Sequence, residues 1–257
     1  MPTADNTLVV ALETSGSCGS VALVDRLGSI GECSLQSGKT HSRRLLAMVE
    51  RIMDECEVQW PQIAGVAVGL GPGSFTGLRI GLSCAKGLAL ATGKPLVGIS
   101  SLDGLAVQLA GWKLPICPMI DARKKEVFAA FYHPASMQLS MMPQEVESMI
   151  SRAPGRHGPY LALPPEELAG LITTPTLLLG SGAQLYRELF LAELGELALF
   201  APPQLFFSRA SAIGLLARER LLKGERHDPA GLTPIYVRDS DAKLSQTGRQ
   251  RAAKGVK

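Results

Sequence analysis

Short apolar runs alternate with polar, glycine-bearing turns along the first hundred residues, and their spacing predicts strands and helices. Residues 8–12 (LVVAL) are apolar and rich in β-branched side chains. The polar turn ETSGSCGS follows, then strand-like runs at 21–25 (VALVD) and 32–36 (ECSLQ), which is a meander signature. Across 42–56, Leu45, Leu46, Met48, Val49, Ile52, Met53 and Cys56 recur with a helical period between charged residues. Residues 63–70 (IAGVAVGL) read as a buried strand, 76–91 as a helix, 94–100 (KPLVGIS) as a strand and 101–111 as a short helix. Alternation of this kind calls for a mostly parallel sheet with helices packed on it.

The pattern restarts near Pro115. The run PICPMIDARKKEVFAAFYH again gives an apolar stretch, an acidic residue, a polar turn and an apolar strand, with Asp121 standing where Glu13 stood. This predicts a duplicated α/β architecture with one lobe over 1–107 and a second over 108–238. Within the second lobe, 134–170 is rich in Pro, Met and Glu and predicts an irregular insertion. Residues 174–194 resume with strand, glycine turn and helix. A final helix over 208–224 has Ser208 or Ser211 as its cap and Gly224 as its stop. Residues 239–257 lack apolar periodicity and turn basic, which predicts a disordered tail.

Composition narrows the class. A length of 257 residues with 46% hydrophobic and 19% charged side chains fits a soluble globular protein with a sizeable core. The formal charge of +3 does not by itself argue for nucleic acid. The five cysteines (Cys18, Cys33, Cys56, Cys84 and Cys117) include no Cys-x-x-Cys pair, which favours reduced thiols in the cytosol. No uncharged run reaches the roughly 20 residues needed to span a bilayer, so the expected location is cytoplasmic and away from membranes.

The segment GLGPGSFTGLRIG (69–81) carries the most chemistry. Gly71 and Gly73 supply permissive backbone, and Ser74 and Thr76 are good helix caps whose neighbouring N–H groups suit an anion. A phosphate loop normally places a lysine at the helix start, and the nearest here is Lys86; the alternative is a tight strand-to-helix turn. Glu13, Thr14 and Ser15, at the end of the first strand, suit either a metal-bound phosphate or a capped polar turn. Asp121 with Arg123, Lys124 and Lys125 offers the same pair of readings, and GSGA (180–183) would let a nucleoside approach the backbone.

The helix after the loop bears a small-residue stripe of Gly77, Gly81, Cys84, Ala85 and Ala89. Each interior glycine costs on the order of 1 kcal/mol relative to alanine, so close packing against another element must offset it. That element is either this chain's own core or a partner. His41, His133, His157 and His227 are isolated, with no His-Glu-x-x-His pair, and no Gly-x-Ser-x-Gly elbow is present. No protein-held metal, catalytic nucleophile or peptidase site is therefore expected.

Taken together, ALETS, GPGSFTGLRIG, GKPLVGISSLDGLA and MIDARKKEVFAAFY resemble the TsaB family, also called YeaZ, over most of 8–132, with weaker agreement in LLLGSGA and PIYVRDSDAK. The resemblance implies an actin-like, Hsp70-like ATPase (ASKHA) fold of two lobes and a role in threonylcarbamoylation of the adenosine beside the anticodon of certain tRNAs. It implies a non-catalytic partner of TsaD, which transfers the threonylcarbamoyl group to tRNA, alongside TsaE, which contributes an ATPase. TsaD-type proteins carry paired histidines on the helix after the loop, and TGLRIGLSCAKGLALA has none. The family's usual DTS appears here as ETS, a departure at Glu13.

By this analogy the helices at 42–56 and 76–91 form the surface shared with TsaD, or with a second copy in a homodimer. The expected contacts are Leu45, Val49 and Ile52 on the first helix, and Thr76, Gly77, Ile80, Gly81, Cys84 and Ala85 on the second. tRNA is then met indirectly, through the complex. The competing reading is an independent nucleotide hydrolase that holds ATP or ADP with Glu13, Thr14, Ser15, Gly71, Gly73 and Ser74.

Overall fold

The computed structural model describes residues 7–36, 44–134 and 154–238. They form two five-stranded mixed sheets. The first contains β1 (Leu8–Glu13), β2 (Cys18–Val24), β3 (Ser29–Gln36), β4 (Ile63–Gly69) and β5 (Leu96–Ile99), in the order β3-β2-β1-β4-β5. The second contains β6 (Ile116–Arg123), β7 (Glu126–His133), β8 (Gly155–Leu163), β9 (Thr176–Leu179) and β10 (Ala198–Phe200), in the order β8-β7-β6-β9-β10. In each sheet the first three strands run antiparallel, and the remaining two run parallel to the first. The duplication visible in the sequence is thus a duplication of topology, the two-lobed arrangement that the family resemblance implies.

Both faces of the first sheet are covered, so β1 is buried at all six of its positions. Val10 and Leu12 point toward α1 (Leu45–Glu55) and α2 (Phe75–Thr92), while Val9 and Ala11 point toward α7 (Ala210–Leu222). The second sheet packs on α3 (Ser101–Val107) through Ile116, Ile120 and Phe128. Its other face meets α4 (Pro165–Ala169), α5 (Ser181–Leu185) and α6 (Arg187–Leu194) through Cys117, Met119 and Val127.

Two helices are exchanged between the sheets. α3 belongs to the 1–107 stretch yet covers the second sheet, and α7 belongs to 108–238 yet covers the first. A boundary between 107 and 108 therefore separates the sheets but not the helices that cover them.

Several local expectations are corrected. The described part of the 134–170 segment is not irregular: it holds β8 and α4. The strand escapes a periodicity reading because its first half, Gly155-Arg156-His157-Gly158-Pro159, is exposed and carries two glycines and a proline. α2 begins at Phe75, with Ser74 as its N-cap accepting from Gly77 N–H at 3.2 Å, and ends against Gly93 at φ +69°. Neither Ser208 nor Ser211 caps α7, whose N-cap is Arg209 without a side-chain bond. His41 and the 239–257 tail lie outside the described residues. Among those described, no helix is long and apolar enough to cross a membrane.

Candidate cleft and helix face

The carboxyl ends of the parallel strands β1, β4 and β5 lie side by side, which in open α/β sheets is where ligands bind. Glu13 closes β1 there and is 1% exposed. Its Oε1 accepts from Ser15 N–H at 2.6 Å, and its Oε2 accepts from Ser101 Oγ at 2.8 Å and Ser208 Oγ at 2.9 Å. Gly69 on β4 leaves room for the carboxyl group, since a Cβ there would lie 2.4 Å from Oε2. Three segments far apart in sequence thus converge on one buried acid.

The loop after β4 packs on the turn after β1. Ser74 N–H donates to Ser15 O at 2.7 Å, and a Cβ on Gly73, at φ +158°, would meet that same carbonyl at 2.4 Å. Gly71 N–H donates to Ser101 Oγ at 3.2 Å, and Ser101 N–H returns a bond to Gly71 O at 2.7 Å. Thr14 Oγ1 donates to Gly77 O at 2.8 Å. The structure therefore brings Glu13, Thr14, Ser15, Gly71, Gly73 and Ser74 together, but the N–H groups of Ser15, Gly71 and Ser74 bond within the chain. One group stands apart: Ser15 Oγ is buried without a hydrogen-bond partner.

The small-residue stripe faces inward. Gly77 and Gly81 are buried, and a Cβ on either would lie 2.2 Å from Thr14, meeting its carbonyl oxygen and its Oγ1 respectively. Ala85 is buried with them, as are Leu45, Val49 and Ile52 of α1. These six of the nine expected contact residues pack in the chain's own core, and Ile80 and Cys84 lie half-buried against it. Only Thr76 is exposed. The glycines serve the close approach of α2 to the end of β1.

The outward face of α2 is different. Thr76, Ser83, Gly87 and Leu90 recur at helical spacing and are exposed, Leu90 at 72%. Nothing lies within 4 Å of a Cβ built on Gly87. At the helix start, Phe75 is 45% exposed, meets the Tyr236 ring in a tilted contact with centroids 5.9 Å apart, and carries the Arg79 guanidinium 3.7 Å above its ring.

A second polar knot was not foreseen in the sequence. Asp103 on α3 accepts from Tyr132 OH at 2.6 Å and Tyr160 OH at 3.1 Å, and Arg220 of α7 lies 4.0 Å away. Burial, reinforced by the Asp103 carboxylate, pushes the Tyr132 phenol well above its ordinary range. Ser100 Oγ caps α3, so Ser100 to Asp103 ties this knot to the one at Glu13. The only local signal was the SSLD run, a cap followed by a first-turn acid; its partners come from other elements.

The duplicated hairpin places Asp121 beside Arg123, with a 3.1 Å ion pair and a bond from Arg123 N–H to Oδ1 at 2.8 Å. Gly180 of GSGA, at φ +98°, lies against Met119 O, which a Cβ would meet at 2.2 Å. That bareness lets the start of α5 approach β6. Among the described residues, no cluster of three or more His, Cys, Asp or Glu side chains is placed to hold a metal.

Residues 35–246 match the model of the family described as TsaD, tRNA N6-adenosine threonylcarbamoyltransferase. The chain is 27% identical over 243 residues to the tRNA threonylcarbamoyladenosine biosynthesis protein TsaB of Bacillus subtilis, covering 95% of this chain and 99% of that one. Its identity to the TsaB of Escherichia coli is 35% over 128 residues, 48% of this chain and 54% of that protein. Among solved structures it resembles YeaZ from Pseudomonas aeruginosa, with a TM-score of 0.71, 26% identity, and 90% of this chain and all of that one covered.

Proposed function

The chain belongs to the TsaB (YeaZ) family and has a role in tRNA threonylcarbamoyladenosine biosynthesis; on that premise we propose that it is a non-catalytic partner of a TsaD-type enzyme. The observation that carries this reading is the outward face of α2, where exposed Leu90 and Phe75 flank the small Ser83 and Gly87. A helix with a bare interior glycine on its solvent side lets a second helix approach closely, which offsets the propensity lost there. When TsaD is absent, the same face pairs two copies of this chain. TsaE joins through the assembled pair, and ATP or ADP is not required by this chain alone.

The test is co-purification with TsaD. Gly87→Arg and Leu90→Glu change exposed positions, so both variants are expected to stay folded, with melting temperatures within a few degrees of the parent, and to lose the partner. Retention of TsaD by both variants sinks the docking face. Reconstituted tRNA modification is expected to fall when this protein is omitted, and TsaD activity independent of it overturns the partner reading.

One observation favours the second reading, a nucleotide hydrolase: the unpartnered Ser15 Oγ in the cleft. It requires saturable ATP binding by the isolated chain and loss of turnover in Glu13→Ala. Absence of calorimetric heat with ATP and magnesium disposes of it.

A further inference from the structure

Two histidines that stand alone in the sequence meet in the fold. His133 ends β7, and His157 lies in the first half of β8, 24 residues on. Their ring centres are 4.9 Å apart, with the planes at 82°. Both side chains are exposed, and among the described residues neither imidazole has a hydrogen-bond or ion-pair partner.

The register of the two strands produces this meeting. Ala129 stands opposite Leu161 but Phe131 stands opposite His157, so two steps along β7 match four along β8. Irregularities of this kind re-aim side chains. His157 shares a face with Phe131, and His133, two residues farther along β7, projects from that face too. Opposite His133 stands Gly155, which is exposed and has open space where a Cβ would be. Arg156 belongs to the other face, where its Nη1 donates to Gly158 O at 2.6 Å and its guanidinium lies 4.3 Å over the Tyr160 ring. Its charge is thereby drawn away from the pair.

The separation is the one a shared metal requires. A metal bound to imidazole nitrogen at about 2.1 Å stands about 3.2 Å from the ring centre. With the two bonds about 90–110° apart, the ring centres then lie roughly 4.5–5.2 Å from each other. The observed 4.9 Å falls inside that range. Imidazole is the commonest metal ligand among side chains, and it suits ions of the zinc, nickel and copper class.

We infer that His133 and His157 form a two-imidazole site for a divalent transition metal, with water filling the remaining positions beside Gly155. The inference goes beyond the tRNA-modification reading and does not depend on it. The bound ion ties the end of β7 to the exposed half of β8, an edge stretch that carries two glycines and a proline. It therefore pins the part of the second sheet that is least well held by apolar packing.

The test uses the full chain, stripped of metal with a chelator and titrated calorimetrically with nickel chloride and, separately, zinc chloride. The parent is expected to bind one equivalent. His133→Asn and His157→Asn are each expected to weaken that binding by at least about tenfold, since losing a ligand costs no less than losing one of its outer-shell partners. Both positions are exposed, so the metal-free variants should melt close to the parent. Hydrogen exchange gives a second readout: nickel should slow the amides of 155–158 in the parent and in neither variant. Absence of heat with both metals overturns the inference. Equal affinity in all three proteins also overturns it, because the ion then binds elsewhere, and so does a loss confined to one variant, because the ligand is then a lone imidazole.

Discussion

Thr14 fills the notch that Gly81 leaves in α2: a Cβ on that glycine would lie 2.2 Å from Thr14 Oγ1, which donates to Gly77 O at 2.8 Å. The hydroxyl is thus fixed between two turns of the helix and cannot swing aside without breaking its bond. Close packing of helix on strand, rather than of protein on protein, accounts for the inner glycines.

Substitution by alanine at two glycines of one helix should therefore move stability in opposite directions. Gly81→Ala is expected to destabilise by about 1–3 kcal/mol, because overpacking against Thr14 outweighs the gain in helix propensity. Gly87→Ala, with open space around its Cβ, is expected to stabilise by up to about 1 kcal/mol. Urea unfolding midpoints read both, and a shift of the same sign in the two variants contradicts the assignment of faces.

The topology was legible because the restart at Pro115 repeats a strand–acid–turn–strand pattern, and hydrophobic period alone carries that signal. The orientation of α2 was not. Glycine and alanine contribute little to a hydrophobic period, so the stripe of Gly77, Gly81 and Ala85 shows that something approaches closely without showing what. The hydroxyls on Glu13 were illegible for another reason. Ser101 and Ser208 lie 88 and 195 residues away, and no local pattern connects them to it. Ser208 read as a helix cap because serine before an apolar helix usually is one.

Glu13 is expected to hold the fold as well as shape the cleft. Glu13→Ala takes the acceptor from the Ser15 N–H, the buried Ser101 hydroxyl and the half-buried Ser208 hydroxyl and leaves a cavity, a loss of about 3 kcal/mol or more. Glu13→Gln keeps the volume and one acceptor oxygen, and the rotatable serine hydroxyls can accept from its amide, so roughly half that loss is expected. Chemical denaturation ranks the variants, and equal stability of Glu13→Ala and the parent contradicts a structural role for the acid.

The Asp103 knot joins α3 and the second sheet to α7, and its energy is expected to be shared. Asp103→Asn and Tyr132→Phe should each destabilise by about 1–3 kcal/mol. The double variant should fall short of their sum by about 1 kcal/mol, because the 2.6 Å bond can be lost only once. Strict additivity in the double-mutant cycle would show that the two side chains are not coupled.

Alkaline pH should loosen the protein through groups that stay protonated only when folded. Burial raises the Cys117 thiol far above its ordinary 9.0 and lifts Cys84 to about 11; burial, reinforced by the neighbouring Asp103 carboxylate, raises the Tyr132 phenol. In each case the unfolded chain releases the proton first. The stability these groups contribute is fully present below about pH 9 and is lost as pH rises toward their folded values. Each proton so withheld steepens the decline by up to about 1.4 kcal/mol per pH unit. Cys117→Ala removes one of them, so its unfolding free energy should fall less steeply than the parent's between pH 9 and 10.5, even if it starts lower. Urea titrations at half-unit steps measure the two slopes, and parallel lines would show that Cys117 does not hold its proton through this range.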